Sequence, residues 1–356
     1  MMQSEFSIRL LSNRELSPDS PSKHLLAMVQ PSAELQAEQN FDLFEVSFSH
    51  RKNMIAAHFA QQGVLLLRDF PLLDSSQAAK LLKELGVKFS TKYRSRSDPL
   101  KRKSNYFRSS AEGVNSSIVP LHTEMCYLPK RPAKVFFYCQ TAPEKYGETP
   151  VFDTAATFAL LDPDLQQKIE RLGLVYQRNY VAMKSSAKGG RTWVKAFNTT
   201  NKEGVAQACA AQKMSLAWQK DGGLLTRIKM PGVVEHPDEG SQCLSMILFN
   251  KHAALYNMNY FSHRYGPLKR KTMERAVNSD SAQGGAFMRT LWGDGSEISA
   301  KETQQILDAA WGNAVLFKWK AGDLLLLDNI RCGHGRMNVI DTGAISVAHG
   351  KSYRAT

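Results

Sequence analysis

This chain has no C-x-x-C pair, no long apolar run and too few acidic residues to balance its basic ones. Each shortage removes a class of protein. The five cysteines (Cys126, Cys139, Cys209, Cys243 and Cys332) are odd in number and lack zinc-ribbon spacing, so reduced thiols are expected rather than a disulfide framework. No stretch approaches the about 20 apolar residues of a membrane-spanning helix. The opening MMQSEFSIRLLSNRELSPDSPSK carries no apolar segment ahead of a small-residue cleavage site, so a cytoplasmic location is expected. There is no internal repeat and no low-complexity tract. Against 46 Lys and Arg stand only 33 Asp and Glu, a net charge of +13. The basic residues gather at 92–108, 129–134, 188–195 and 264–271, without a recognition helix, zinc finger or aromatic-interleaved RNA motif beside them. They read as a basic rim that draws in an acidic small molecule or an acidic carrier protein, with no nucleic acid and no membrane as partner. A solvated surface without a dedicated partner is the plainer alternative.

What is present is ordinary for a globular chain: 43% hydrophobic and 22% charged residues. Residues 1–40 are polar, contain SPDSPS and are expected to be a flexible leader; 41–356 read as a single domain. Helices are expected at 49–63, at 75–86 with serine caps, in two pieces around Pro163, and at 299–313. VLLLRDF, KVFFYCQTA (134–142), CLSMILFNK (243–251), GDLLLLDN and AISVAHG read as strands. Strands separated by long loops and helices give a mainly β fold with helical insertions (α+β), a sandwich or jelly roll.

The chemistry concentrates in VPLHTEMCYLP and GDLLLLDNIRCGHGRMNV. In an extended segment residues two apart share a side, so His122 and Glu124 can grip one metal ion while Thr123 points away. His334, far downstream, follows an apolar strand and sits between Gly333 and Gly335 in an expected turn. Two imidazoles and one carboxylate form a facial triad for non-haem Fe(II), leaving the opposite face open to oxygen.

These blocks resemble the taurine dioxygenase/clavaminate synthase-like superfamily of Fe(II)/2-oxoglutarate oxygenases, and within it the syringomycin-cluster (SyrP-like) hydroxylases. GVLLLRDF (63–70), the 119–154 block, GLVYQRNY (173–180), GLLTRIKMPGVVEHPDEG (223–240), WGDGSEIS (292–299) and FKWKAGDLLLLDNIRCGHGRMNV (317–339) fall in family order. The resemblance implies a distorted double-stranded β-helix (jelly roll, cupin-like), with 174–240 inserted over the active site and 109–117 as a lid. It implies iron ligation and catalysis by His122, Glu124 and His334, and binding of the far carboxylate of 2-oxoglutarate by Thr149. A carboxylate at position 124 speaks against halogenation, for which the family opens that ligand position. The implied activity is hydroxylation of an amino acid or amino-acid-derived, carrier-tethered or free, metabolite. Tyr106, Asn115, Arg178 and Asn250 are candidate substrate contacts.

One departure stands out. Where the family places an Arg to clamp 2-oxoglutarate, this chain has Gly343 and Ala344, and no cation lies between Arg336 and His349. Arg336 and Arg354 are the cofactor-binding candidates in its place, with His349 and Lys351 behind them. The alternatives are an Fe(II)/O2 oxygenase that does not use 2-oxoglutarate, and a non-catalytic metal- or metabolite-binding protein.

Overall fold

The apolar run LLLLD becomes the centre of the molecule. In a computed structural model, which describes residues 5–23, 25–37, 40–90, 106–111, 118–182, 191–282, 288–339 and 343–355, Leu324–Asp328 pairs antiparallel with both Val64–Leu67 and Lys134–Thr141. Ala344–His349 and Arg108–Ala111 extend the sheet on one side, and Ala27–Pro31 and Phe6–Leu10 on the other, giving seven strands. Side-chain alternation splits the apolar residues between two cores. Leu324, Leu326, Phe136, Tyr138 and Ala348 pack under the helices Phe41–Gln62 and Ser75–Glu84. Leu325, Leu327, Val135, Phe137 and Val347 point the other way, toward Val151 and Cys332. Those two residues belong to a three-stranded sheet, Val119–His122, Cys332–Arg336 and Val151–Asp153. Two sheets enclosing one apolar layer form the expected jelly roll.

The expected leader is instead part of this sandwich. Phe6, Met28 and Val29 are buried, Phe6–Leu10 pairs with Ala27–Pro31, and Ala27–Pro31 runs parallel to Val64–Leu67. The polar composition hides two short strands, one with apolar residues at alternate positions (Phe6, Ile8, Leu10) and one with a consecutive run (Ala27, Met28, Val29). Helix Phe41–Gln62 starts eight residues before the expected 49, because Asn40 caps it and Phe41, Phe44 and Phe48 continue its buried stripe. The cap of Ser75–Glu84 is Asp74, not a serine. Pro163 breaks the following helical stretch as expected, into Thr154–Ala159 and Pro163–Leu172. The expected strand at 243–251 is only partly one: Gln242–Leu244 is extended, and a helix capped by Asn250 begins at Lys251.

Residues 174–240 supply three strands of a second, four-stranded sheet ordered Ser215–Trp218, Leu224–Met230, Leu174–Tyr180, Met288–Trp292, the last coming from beyond that segment. One face packs on a core that includes Leu121, Met125, Tyr127 and Leu128, the segment around the expected metal ligands. Not all the basic runs lie at a rim. Arg131 is buried, donating to the Leu128 carbonyl at 2.9 Å and to the Ser245 hydroxyl. Arg264 is buried too, forked onto Glu148 at 2.9 and 3.0 Å. The 92–105 part of the first run lies outside the described residues. Among the described residues no helix is long and apolar enough to cross a membrane.

Candidate metal centre

His122 and His334 are directly opposite one another on neighbouring strands, with ring centroids 4.4 Å apart. Position 334 lies inside a strand, not in the expected turn. The glycines around it answer to crowding: a Cβ at Gly333 would meet the Phe152 ring at 2.2 Å, and one at Gly335 the Val119 carbonyl at 3.0 Å. His122 ends its strand, and Glu124 sits in the turn that follows, where Met125 adopts a φ of 59°. That turn brings the carboxylate back to the imidazoles. Glu124 Oε2 lies 3.5 Å from His122 Nε2 and 3.6 Å from His334 Nε2. One ligand atom from each of the three residues falls within 4.8 Å of the others, a spacing one ion can bridge.

The surroundings orient the set. His122 Nδ1 faces the Pro120 carbonyl at 2.8 Å, which makes Nδ1 the protonated nitrogen and leaves Nε2 free for metal. Asn329 grips the backbone of Glu124 from both sides, accepting from its N–H at 2.6 Å and donating to its carbonyl at 3.1 Å. Phe137 packs edge-on against His334 at 5.0 Å. Burial pushes the Glu124 carboxyl up, but His122, His334 and the nearby His349 outweigh it and hold the group well below the usual carboxylate range. Burial and the adjacent His122 pull His334 down to about 4. A carboxylate anion beside a neutral imidazole is the protonation state a divalent cation needs. The His334 Nδ1 is buried without a hydrogen-bond partner. These residues fit an iron ion.

The remaining sequence candidates divide. Thr149 is buried, and its hydroxyl accepts from Trp319 Nε1 at 3.3 Å. Arg336 lies two residues beyond His334 in the same strand. The pairing of His334 with Val151, continued through the bonds Gly335 N to Pro150 O and Met337 N to Glu148 O, sets Arg336 across from Thr149. Its guanidinium is half-buried, and that burial lowers its pKa. Arg354, by contrast, is exposed on the strand Ser352–Arg354 at the mouth of a cavity of about 660 Å³. Tyr106 stacks on Phe89 at 4.3 Å beneath the helices, on the far side of the seven-stranded sheet. Asn250 caps a helix, and its amide donates to Thr303, so its polar atoms serve the fold. Asn115 lies outside the described residues. Arg178 is buried on Leu174–Tyr180.

Sequence reasoning assigned no role to Asn329 or Asn338. Asn329 is the polar residue that ends an apolar strand, a pattern that is informative only in hindsight. Asn338 is fully buried, and neither its amide nitrogen nor its oxygen has a hydrogen-bond partner. At Gly343, one of the two positions where the Arg was expected, a Cβ would lie 2.6 Å from Pro143. His349 stands instead on the inward face of Ala344–His349, in line with Ile345 and Val347, with Nε2 3.7 Å from Glu124 Oε1.

Two facing sheets with two imidazoles and a carboxylate converging at one end define a mononuclear non-haem iron oxygenase. Residues 28–347 match the taurine catabolism dioxygenase TauD/TfdA family, and the chain belongs to it. It is an enzyme of that class, an Fe(II)/2-oxoglutarate-dependent dioxygenase. Over 306 residues it is 26% identical to the dapdiamide synthesis protein DdaC of Enterobacter agglomerans, covering 85% of each chain. It is 24% identical to a clavaminate synthase-like protein of Arabidopsis thaliana, with 83% of each covered. The fold is that of PvcB from Pseudomonas aeruginosa, at a TM-score of 0.53 and 14% identity over 98% of this chain and 92% of that one.

Proposed function

We propose that this enzyme hydroxylates an amino-acid-derived metabolite in natural-product assembly, with 2-oxoglutarate held by a relocated anchor. The observation that carries the anchor is the group Thr149, Arg336 and Asn338 beside His334. A hydroxyl and a guanidinium face each other across two strands, and a buried amide without partners follows two residues on. A planar guanidinium supplies two parallel hydrogen bonds to a carboxylate, and Asn338 Nδ2 can add one more. Bound iron supplies the activation of oxygen. This chain's residues do the rest. His122, Glu124 and His334 would hold the ion between them. Glu124 remains a ligand, which favours hydroxylation over halogenation. Phe137, Val347 and their neighbours exclude water behind His334.

Two relatives support the metabolic setting: DdaC is named for dapdiamide synthesis, and PvcB is described as an Fe, alpha-ketoglutarate dependent oxygenase from an isonitrile synthetic pathway. The closer placement among syringomycin-type hydroxylases rests on the sequence blocks. The cavity of about 660 Å³ reaches His349 and is rimmed by Lys88, Lys130, Lys213, Lys351 and Arg354, which suits an anionic cosubstrate or substrate.

The test is anaerobic. Fe(II)-loaded protein titrated with 2-oxoglutarate should develop the weak visible charge-transfer band of a chelated 2-oxo acid, and H122A should abolish it. R336A should weaken 2-oxoglutarate binding roughly 10- to 100-fold, the value of a charge-assisted hydrogen bond. T149A should weaken it about fivefold, while R354A should leave it within about twofold. Iron binding without a band in the wild-type protein would sink the reading and turn attention to oxygenases whose own substrate supplies the electrons.

A further inference from the structure

Above the turn that carries the proposed metal ligand Glu124, the four-stranded sheet presents a buried cation that no carboxylate among the described residues pairs with. Arg178 is 3% exposed, and its Nη2 has no hydrogen-bond partner. Directly opposite, on Leu224–Met230, is Thr226, 1% exposed, whose hydroxyl is also without a partner. The two form a cross-strand pair, so their side chains project from the same face. The Arg178 guanidinium lies over the ring of Tyr127 at 4.5 Å, and Tyr127 is three residues past Glu124. Two residues back along the strand, about 6.6 Å, the Tyr176 hydroxyl accepts from the Ile247 amide, and Ile247 bridges to His122. The pair therefore faces the metal-ligand segment from the sheet packed against it.

Leaving a guanidinium in an apolar core is costly unless an anion completes it. Among the described residues no carboxylate pairs with Arg178. Its near neighbours, Tyr127, Tyr176 and Thr226, offer one flat ring and two hydroxyls. The contact with the Tyr127 ring restrains the guanidinium before a ligand arrives. A fork beside a hydroxyl is the arrangement that takes a carboxylate.

We propose that Arg178 and Thr226 are a carboxylate subsite for the primary substrate, which enters as a free acid rather than as a thioester on a carrier protein. A thioester has no carboxylate there and would leave the guanidinium unpaired. This rests on the oxygenase reading above and narrows its substrate class. The carboxylate could equally come from 2-oxoglutarate, and the experiment separates the two sources.

The probe is acetate, compared with acetamide at equal ionic strength. It is added to the anaerobic Fe(II) enzyme already saturated with 2-oxoglutarate, as judged by the charge-transfer band. The readout is the thermal unfolding midpoint. Acetate, and not acetamide, should raise the midpoint of the wild-type complex. R178M should weaken that response at least tenfold in acetate concentration, R178K should keep part of it, and T226V should weaken it less than R178M. The 2-oxoglutarate Kd should stay within twofold in all three. Without acetate, R178M should unfold no earlier than wild type, because an apolar side chain replaces an uncompensated charge. An R178M protein that is less stable and still responds to acetate would make Arg178 a structural residue. Acetate acting only when 2-oxoglutarate is absent, or a 2-oxoglutarate Kd raised tenfold in R178M, would give the subsite to the cosubstrate. No effect of acetate on the wild-type complex would overturn the proposal. Failure of the oxygenase reading shows separately, as absence of the band.

Discussion

Asn329 holds Glu124, a proposed metal ligand, by its backbone, and no substitution in the triad is needed to disturb the proposed centre. N329A removes both hydrogen bonds to that turn and leaves the three ligating side chains intact. Outer residues of this kind typically contribute 10- to 100-fold to metal affinity. A Co(II) titration followed by its visible spectrum should show about that loss, with the folded circular dichroism signature retained. The cysteines give a second residue-scale expectation. All five are buried, and burial above all pushes the Cys126 thiol to about 11. The thiolate is the reactive form. Iodoacetamide at pH 8 should label none of them in the native protein and all of them in denaturant, read by intact mass. Rapid native labelling of Cys126 would mean that the metal-ligand turn opens. The proposed triad could be read from the sequence only in context, because His122, Glu124 and His334 fall in blocks that resemble the family, whereas a His-x-Glu pair by itself is common. Asn338 and Thr226 could not be read there, because an Asn or Thr becomes informative only when its burial and lack of partners are known.

At the scale of elements, the helix Ala300–Gly312 carries its own start signal. Ser299 and Glu302 form a capping box, and Lys168 on Pro163–Leu172 pairs with the same carboxylate. Burial raises the Glu302 carboxyl, but Lys168, the amide and hydroxyl of Ser299, and Trp292 outweigh it and bring it to about 2. A carboxyl depressed in the folded state stabilises above its ordinary unfolded value of about 4.5, and that contribution disappears as pH falls toward 2. Side-chain exposure is 19%, so the effect should be roughly 1–2 kcal/mol after solvent screening. Urea unfolding at pH 7 and pH 3 should show a smaller difference for E302Q than for wild type. Equal differences would mean that other carboxyls govern the acid limb. This helix was readable from spacing and caps. Strand Phe6–Leu10 was not: five residues within a polar stretch carry too little periodicity, and only pairing with Ala27–Pro31 makes them a strand.

The whole molecule brings distant segments to one end of the sandwich. Ser17 and Asp19 meet Arg264 and Glu148, so the N-terminal segment braces the stretch that carries Thr149. The charge of the chain acts at this scale too. Five cations rim the cavity that reaches His349, in a protein of net charge +13. Steering of a dianion by such a field is screened over about 8 Å at physiological salt. Raising NaCl from 20 to 500 mM (roughly 5-fold in screening length) should therefore lower kcat/KM for 2-oxoglutarate severalfold while kcat changes little. K351E should flatten that salt dependence. A salt-independent kcat/KM would leave the basic rim without a role in capture.

Sequence alone determined the jelly-roll class and the main apolar strands, and it proposed the metal chemistry. Ligand chemistry depends on residue type, and a strand buried on both faces must be continuously apolar, so both are written in local order. Tertiary structure decided what depends on distance between remote residues. It set Arg336 across from Thr149, closed the Gly343 position with Pro143, took Tyr106 to the far face, and stood Arg178 above the turn that follows His122, with no carboxylate among the described residues to pair it. Which polar group is satisfied and which waits for a ligand is a property of packing, and packing joins residues that the chain keeps far apart.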